Sequence, residues 1–477
     1  MNFQTEIVLR FFDEISRIPR PSKHEEQIRR YLIHFAEQHA LPWIVDDAGN
    51  VLISKPGTQG QEQRPVVVLQ SHIDMVGEKD SSSTHNFLTD PISVYRDGDR
   101  LRAHGTTLGA DNGIGMAMQL ALLSIDTVMH PPLECLFTVD EETGLYGASN
   151  LSPDLLRGRT MINLDTEEEG EFCIGCAGGT DTLAEIRFER QVIPEGFFFF
   201  RVRISGLQGG HSGEDINKHR ANAIKLLAGY LQCVVQQSDL RVACIEGGNL
   251  RNAIPREAGA LLAVPFADKE LVRIVLNHFI VDSEEQFPAE TGLCIELESA
   301  YEEQSEMLPK SISDGVIRAL NACPNGVIAM SRQIADLVET STNLAAVRSG
   351  DDFVRIETSQ RSSSETEKHN IAQRVAAVFS AEGATITTGK DYPGWEPNPD
   401  SVVLQRSIAA YRRLFGSEPV VKAIHAGLEC GVILGKYPDM DIVSLGPTIE
   451  GAHSPAESVS ISSVERCWQL LLEILNS

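Results

Sequence analysis

The chain has 477 residues, 42% of them hydrophobic, with 41 basic against 67 acidic side chains and a net charge of −26. A surface that negative repels phosphate backbones, and no apolar run is long enough to cross a bilayer, so neither nucleic acid nor membrane is an expected partner. The length allows two or three domains. The nine cysteines, odd in number and without a regular framework, point to a reducing compartment.

The opening Met1-Asn-Phe-Gln-Thr-Glu6 has neither a basic n-region nor a long apolar core, so the expected location is the cytoplasm. Glu6 to Ile18 carries a helical apolar pattern that ends before Pro19. Ser22-Lys-His-Glu25 reads as a capping box for a second helix with Ile28, Tyr31, Leu32 and Phe35 on its apolar stripe. Val51 to Ser54 and Val66 to Gln70 read as strands, the second apolar enough to be buried on both faces and followed at once by His72, Ile73, Asp74 and Met75. A polar strand-like run, Val94 to His104, leads into Gly105-Thr-Thr-Leu-Gly-Ala-Asp-Asn-Gly-Ile-Gly115 and then an apolar helix, Met116 to Ile125. Leu133 to Val139 is another strand, running into Asp140, Glu141 and Glu142, and Thr160 to Leu164 ends in Asp165. Strands alternating with helices predict an α/β domain with a mixed, largely parallel sheet flanked by helices.

The style changes over 181–384. Strands are expected at Phe197–Leu207, Ala260–Phe266, Gly292–Glu298, Leu344–Arg348 and Phe353–Glu357. Helices are expected at Asp215–Gln236, Lys269–Val281, Asp314–Asn321 and Glu365–Glu382. Two loose rounds of strands and helices suggest a doubled α+β insert. After Pro393-Gly-Trp-Glu-Pro-Asn-Pro399 the α/β style returns, with a helix at Val402–Phe415, a strand at Asp441–Leu445 and a closing helix at Val464–Leu475. The expected plan is therefore one α/β domain, 1–180 and 385–477, interrupted by an α+β insert, 181–384.

In open α/β sheets ligands bind beyond the carboxyl ends of the strands. The polar residues placed there are His72 with Asp74, Glu141 with Glu142, Asp165 and, past the last strand, His453 in Gly451-Ala-His-Ser-Pro. Asp111 joins them from its small-residue turn, where a carboxylate can cap the helix or bridge two cations. Two imidazoles and several carboxylates suit a borderline divalent ion such as Zn²⁺, Mn²⁺ or Co²⁺. Asp74, two residues from His72 on an extended chain, can orient the imidazole. Glu141 and Glu142 diverge, so one can bind metal while the other takes a proton from water. Three other runs have plainer readings: Cys173-Ile-Gly-Cys176 as packing thiols, Glu167-Glu-Glu169 as a solvated acidic loop, and Phe197 to Phe200 as a buried strand.

Taken in order, His72-Ile-Asp-Met-Val, the Gly105–Gly115 stretch, Asp140-Glu-Glu-Thr-Gly, Asn163-Leu-Asp165 and Gly451-Ala-His-Ser-Pro resemble the co-catalytic zinc peptidases of the M20 family, over essentially the whole chain. The likeness is strongest to the aminoacyl-histidine (Xaa-His) dipeptidase branch. The resemblance implies two divalent cations, zinc first with cobalt or manganese as alternatives. One is held by His72 and Asp165, the other by Glu142 and His453, and Asp111 bridges both. It places Glu141 as general base and Asp74 as the residue that orients His72. It also implies lid residues that meet the substrate: His211 in Gly209-Gly-His-Ser-Gly213 at the developing oxyanion, Asn252, Arg361 at the terminal carboxylate, and His425 at the rim. The implied substrate is a small unblocked dipeptide, Xaa-His and carnosine-like ones included. An aminoacylase or carboxypeptidase acting on N-blocked amino acids, and a non-catalytic binding protein on the same scaffold, stay open. So does a homodimer.

Overall fold

The computed structural model describes residues 3–300 and 306–477. Two compact units result, one built from 1–176, 395–423 and 428–477, the other from 177–394 with a short return at 424–427. The second unit is wider than the 181–384 read from the sequence. Its reason is pairing: strand Thr385–Tyr392 runs antiparallel beside strand Gly178–Arg187, so both belong to one sheet.

The first unit is organised on an eight-stranded sheet whose order is Trp43–Val45, Val51–Lys55, Leu133–Thr138, Val67–His72, Thr160–Asn163, Asp441–Ser444, Glu171–Cys176 and Val420–Ile424. The four central strands, from Leu133–Thr138 to Asp441–Ser444, run parallel, and the flanking strands resolved against them run antiparallel. Their apolar runs are buried on both faces, as parallel strands covered by helices require. Helix Ala110–Ser124 packs on strand Val67–His72 and against helix Phe3–Ser16. A small antiparallel sheet, in the order Ile449–Glu450, Ser458–Ser460, Arg100–Ala103, Val94–Asp97, ties the late segment around His453 to the loop leading to Asp111. The single polar run expected at 94–104 is thus a hairpin.

Helix Glu26–Gln38 buries Ile28, Leu32, Phe35 and Ala36 on one stripe. The capping box expected before it does not form. Ser22 Oγ donates instead to Asp74 Oδ2 at 2.8 Å, and Glu25 accepts from the Lys23 and Asp140 amides at 2.8 and 3.1 Å. Local pattern lost to a long-range carboxylate with a stronger claim on the hydroxyl.

In the second unit a nine-stranded sheet with antiparallel neighbours carries helices Ala223–Val235, Lys269–Gln286, Lys310–Ala322 and Glu365–Ser380 over one apolar core. The two rounds read from the sequence therefore share one continuous sheet, and strands Val338–Ser349 and Phe353–Ser362 are longer than expected. The helix expected from Asp215 begins only at Ala223, where the Asn222 side chain accepts from the Ile224 and Lys225 amides at 3.0 and 3.2 Å. All nine cysteines are free thiols, with Cys173 and Cys176 buried. No helix among the described residues is long and apolar enough to cross a membrane.

Candidate active site

Five chain segments of the first unit converge beyond the ends of the parallel strands. His72 is the last residue of its strand, and its Nε2 lies 3.0 Å from Asp111 Oδ1 and 3.5 Å from Asp165 Oδ1. His453 Nε2 lies 3.0 Å from Asp111 Oδ2 and 3.1 Å from Glu142 Oε1. Asp111 therefore faces an imidazole with each oxygen. The donor atoms of His72, Asp111 and Asp165 lie within 4.8 Å of one another, as do those of Asp111, Glu142 and His453, and those of His72, Glu141 and Glu142. His453 and Asp140 both hold left-handed backbone, with φ of 61° and 48°, which non-glycine residues adopt only where surrounding contacts enforce it.

Asp74 lies against both His72 and the two glutamates. Its Oδ1 is 3.3 Å from His72 Nδ1 and also accepts from the Glu141 amide at 3.0 Å, while Oδ2 accepts from the Glu142 amide at 3.2 Å. One buried carboxylate thus stands beside the imidazole and holds the backbone amides of both glutamates. A further acidic cluster, Glu25, Asp74 and Asp140, draws its hydrogen bonds from Ser22, Thr143 and backbone amides, which accounts for it structurally.

Three supporting residues are not among the site residues predicted from the sequence. Glu457 gathers the amides of the Asp111 loop, and buried Arg20 gathers carbonyls beside it. Glu429, also buried, accepts from Gln70 Nε2 at 2.6 Å and Thr138 Oγ1 at 2.8 Å, below the strand ends. A fourth, Asn112, donates from its side chain to Asp165. Asp111 does not cap its helix: its backbone is non-helical, the Asp111–Asn112 peptide is cis, and the N-cap is Gly109.

The field of this cluster is strongly negative. Burial pushes Glu141 well above the ordinary carboxylate range, and also raises Glu142 and Asp165. Burial pushes Glu429 up to about 7. Against the effect of burial, Asp165, Asp111 and Asp74 hold His72 well above the usual imidazole range, and Asp111 with Glu142 pushes His453 up to about 11. So many buried carboxylates with two imidazoles need positive charge, which protons or cations can supply. The donor set fits cations. Glu142 Oε1 is a buried acceptor with no hydrogen-bond partner, although His453 Nε2 is near it. Nitrogen and carboxylate oxygen are the ligands that borderline divalent ions take.

A second group of predicted residues collects in the other unit. His211 lies on a two-residue strand, Gly210–His211, paired with Ala253–Ile254. The turn that follows wraps round the imidazole: its Nδ1 accepts from the Gly213 and Glu214 amides at 3.3 and 3.1 Å, leaving the ring proton on Nε2. Burial, then the Arg361 charge, lowers the proton affinity of His211 and takes His425 down to about 3. Arg361 is buried, donates from Nη1 to Tyr392 Oη at 3.1 Å, and leaves Nε without a partner. His425 Nε2 is 2.7 Å from Ser341 Oγ. Asn252 is different: its side chain is exposed, and only its carbonyl joins the cluster, accepting from the Ser212 amide at 2.8 Å. The plainer readings fare unevenly. Glu169 is not merely solvated, since Arg466 Nε lies 3.1 Å from it, and Phe197 to Phe199 are half-buried rather than buried.

An open α/β sheet with two nitrogen-and-carboxylate sites sharing one aspartate is the arrangement of a co-catalytic metallohydrolase. The chain belongs to peptidase family M20/M25/M40, whose model matches residues 68–477. It is 43% identical over 465 residues to the cytosol non-specific dipeptidase of Escherichia coli (strain K12), covering 97% of this chain and 96% of that one. Among solved structures, the aminoacylhistidine dipeptidase of Vibrio alginolyticus superposes with a TM-score of 0.92 at 40% identity, over 98% of this chain and 96% of the other. An aminopeptidase of Bacillus cereus, at 16% identity and a TM-score of 0.58 over 99% of this chain and 98% of that one, shares the fold.

Proposed function

We propose that the protein is a metal-dependent dipeptidase that hydrolyses unblocked dipeptides, Xaa-His and carnosine-like substrates among them. The observation that carries the metal-dependent reading is Asp111, with one carboxylate oxygen 3.0 Å from His72 Nε2 and the other 3.0 Å from His453 Nε2. The substrate reading is supported by the two long relatives, one named a non-specific dipeptidase and the other an aminoacylhistidine dipeptidase. The first is also named for the cytosol, which together with free cysteines supports a cytoplasmic enzyme.

His72 and Asp165 would hold one divalent cation, Glu142 and His453 the other, with Asp111 shared; zinc suits the donors first, cobalt or manganese next. When bound, such cations supply Lewis acidity to the scissile carbonyl and make water a stronger acid. The remaining work falls to the chain. Asp74 keeps His72 aimed and parts Glu141 from Glu142. Glu141 takes the proton of the attacking water and returns it to the departing amine. His211, neutral with its proton on Nε2, donates to the developing oxyanion. Arg361 binds the substrate carboxylate through paired N–H groups, with His425 beside it and Asn252 at the edge.

The test is a panel of dipeptides, tripeptides and N-acetylated dipeptides run on metal-stripped protein with single ions added back. Free dipeptides should turn over only with metal. Faster cleavage of the acetylated forms would make the enzyme an aminoacylase or carboxypeptidase, and no turnover with two ions bound would favour a binding protein.

A further inference from the structure

The loop that presents Asp111 is gripped by two charged residues distant in sequence. Glu457, 2% exposed, accepts from the Leu108 amide at 2.7 Å and the Gly109 amide at 2.9 Å with one oxygen. Its other oxygen accepts from the Ala110 amide at 2.7 Å and the Asp111 amide at 3.3 Å. Arg20, 1% exposed, donates to the carbonyls of Ile73, Asp74 and Gly109 at 3.1, 2.8 and 2.6 Å. Gly109 has a φ of 71°, and a Cβ there would lie 2.7 Å from Arg20 Nη2, so the loop approaches the guanidinium too closely for any side chain.

Buried backbone amides need an acceptor, and for Leu108 to Asp111, ahead of the regular helix, Glu457 supplies it. The Asp111 carboxylate takes no part in this grip, and its two oxygens face two different imidazoles.

We propose that Glu457 is the positioning residue that keeps Asp111 shared between two cation sites, so that the protein holds a pair of ions rather than one. The proposal rests on the two-cation reading above. An aspartate free to swivel turns both oxygens onto the first cation to arrive. The second cation would then meet only Glu142 and His453, with a like charge close by and nothing between them to screen it. Four hydrogen bonds donated by backbone amides to one buried carboxylate hold the backbone from Leu108 to Asp111, and with it the direction in which the Asp111 side chain leaves the chain. Glu457→Gln is nearly isosteric, but its amide nitrogen would face two backbone N–H groups, so half of the grip is lost.

The experiment is a Co²⁺ titration of the full-length, metal-stripped protein, read by calorimetry and visible absorption, on wild type, Glu457→Gln and Glu457→Asp. Wild type should bind two ions. In Glu457→Gln the second-ion affinity should fall by about tenfold or more while the first stays within about threefold, and Glu457→Asp should fall between. Activity at high Co²⁺ should recover in part. Two ions bound by Glu457→Gln with the wild-type ratio of affinities would overturn the proposal. So would a parallel fall of both affinities, which is what mere loss of fold produces. If Glu457→Gln does not fold, the same ratio is read in Glu457→Asp, and an unchanged ratio there overturns it. Fewer than two ions in wild type would defeat the two-cation reading itself, a result separate from any effect of Glu457.

Discussion

The two units place histidine in opposite electrostatic settings. In the first, His72 and His453 stand among carboxylates that raise their proton affinity, His453 to about 11. In the second, burial and the Arg361 charge lower that of His211 and take His425 to about 3. One cluster is short of positive charge, the other carries a buried guanidinium whose Nε has no partner. On the proposed reading the same side chain would serve as a cation ligand in one place and as a neutral hydrogen-bonding group in the other. The difference lies in the neighbours, not in the imidazole.

The largest effect should come from removing the shared carboxylate. Asp111→Ala should drop bound metal below about one ion per chain, measured by mass spectrometry, and take turnover with it; two retained ions would break the reading of the first unit as a cation site. Glu141→Ala should separate chemistry from binding, with metal content unchanged and kcat reduced by about 10²–10⁴-fold. Near-normal rates would remove Glu141 as the base.

The second unit is probed more gently. Arg361→Ala should raise KM by roughly 10–100-fold, the loss of a charge-assisted hydrogen bond, and a dipeptide amide should be almost indifferent to the change. Equal losses on acid and amide substrates would show that Arg361 does not bind the carboxylate. The smallest effect concerns stability. His425 is pushed from 6.5 to about 3, so the unfolded chain binds the extra proton between those values. Its contribution is complete above pH 6.5 and is lost as pH falls toward about 3, at no more than ~1.4 kcal/mol per pH unit. In denaturant titrations His425→Gln should flatten the acid side of the stability profile. An unchanged slope would mean that His425 is protonated in the folded protein.

The strand ends were the legible part of the site. His72, Glu141 and Glu142, and Asp165 each follow an apolar run whose β-pattern announces where the strand stops, and strand ends are where α/β sheets place ligands. Their roles rest further on an ordered resemblance to one peptidase family. The failures were local patterns outbid by distant partners. Ser22-Lys-His-Glu25 has the spacing of a capping box, yet Ser22 bonds Asp74, a residue 52 positions away. Asp215 looked like a helix start, but the chain there folds round His211 before the helix begins.

What composition and periodicity determine is the sheet, the helices that cover it and the order in which acids and imidazoles arrive at its edge, because burial of apolar faces is written in short-range patterns. Only the tertiary structure decided which residues hold those acids in place. Glu457 and Arg20 are an ordinary glutamate and arginine until strand Ser458–Ser460 pairs with Arg100–Ala103 and the loop from Gly105 closes between them. Glu429 likewise acquires meaning only from Gln70 and Thr138, on two other strands. A charge's role depends on what lies within a few ångströms of it, and for these residues that neighbourhood is built from segments hundreds of positions apart.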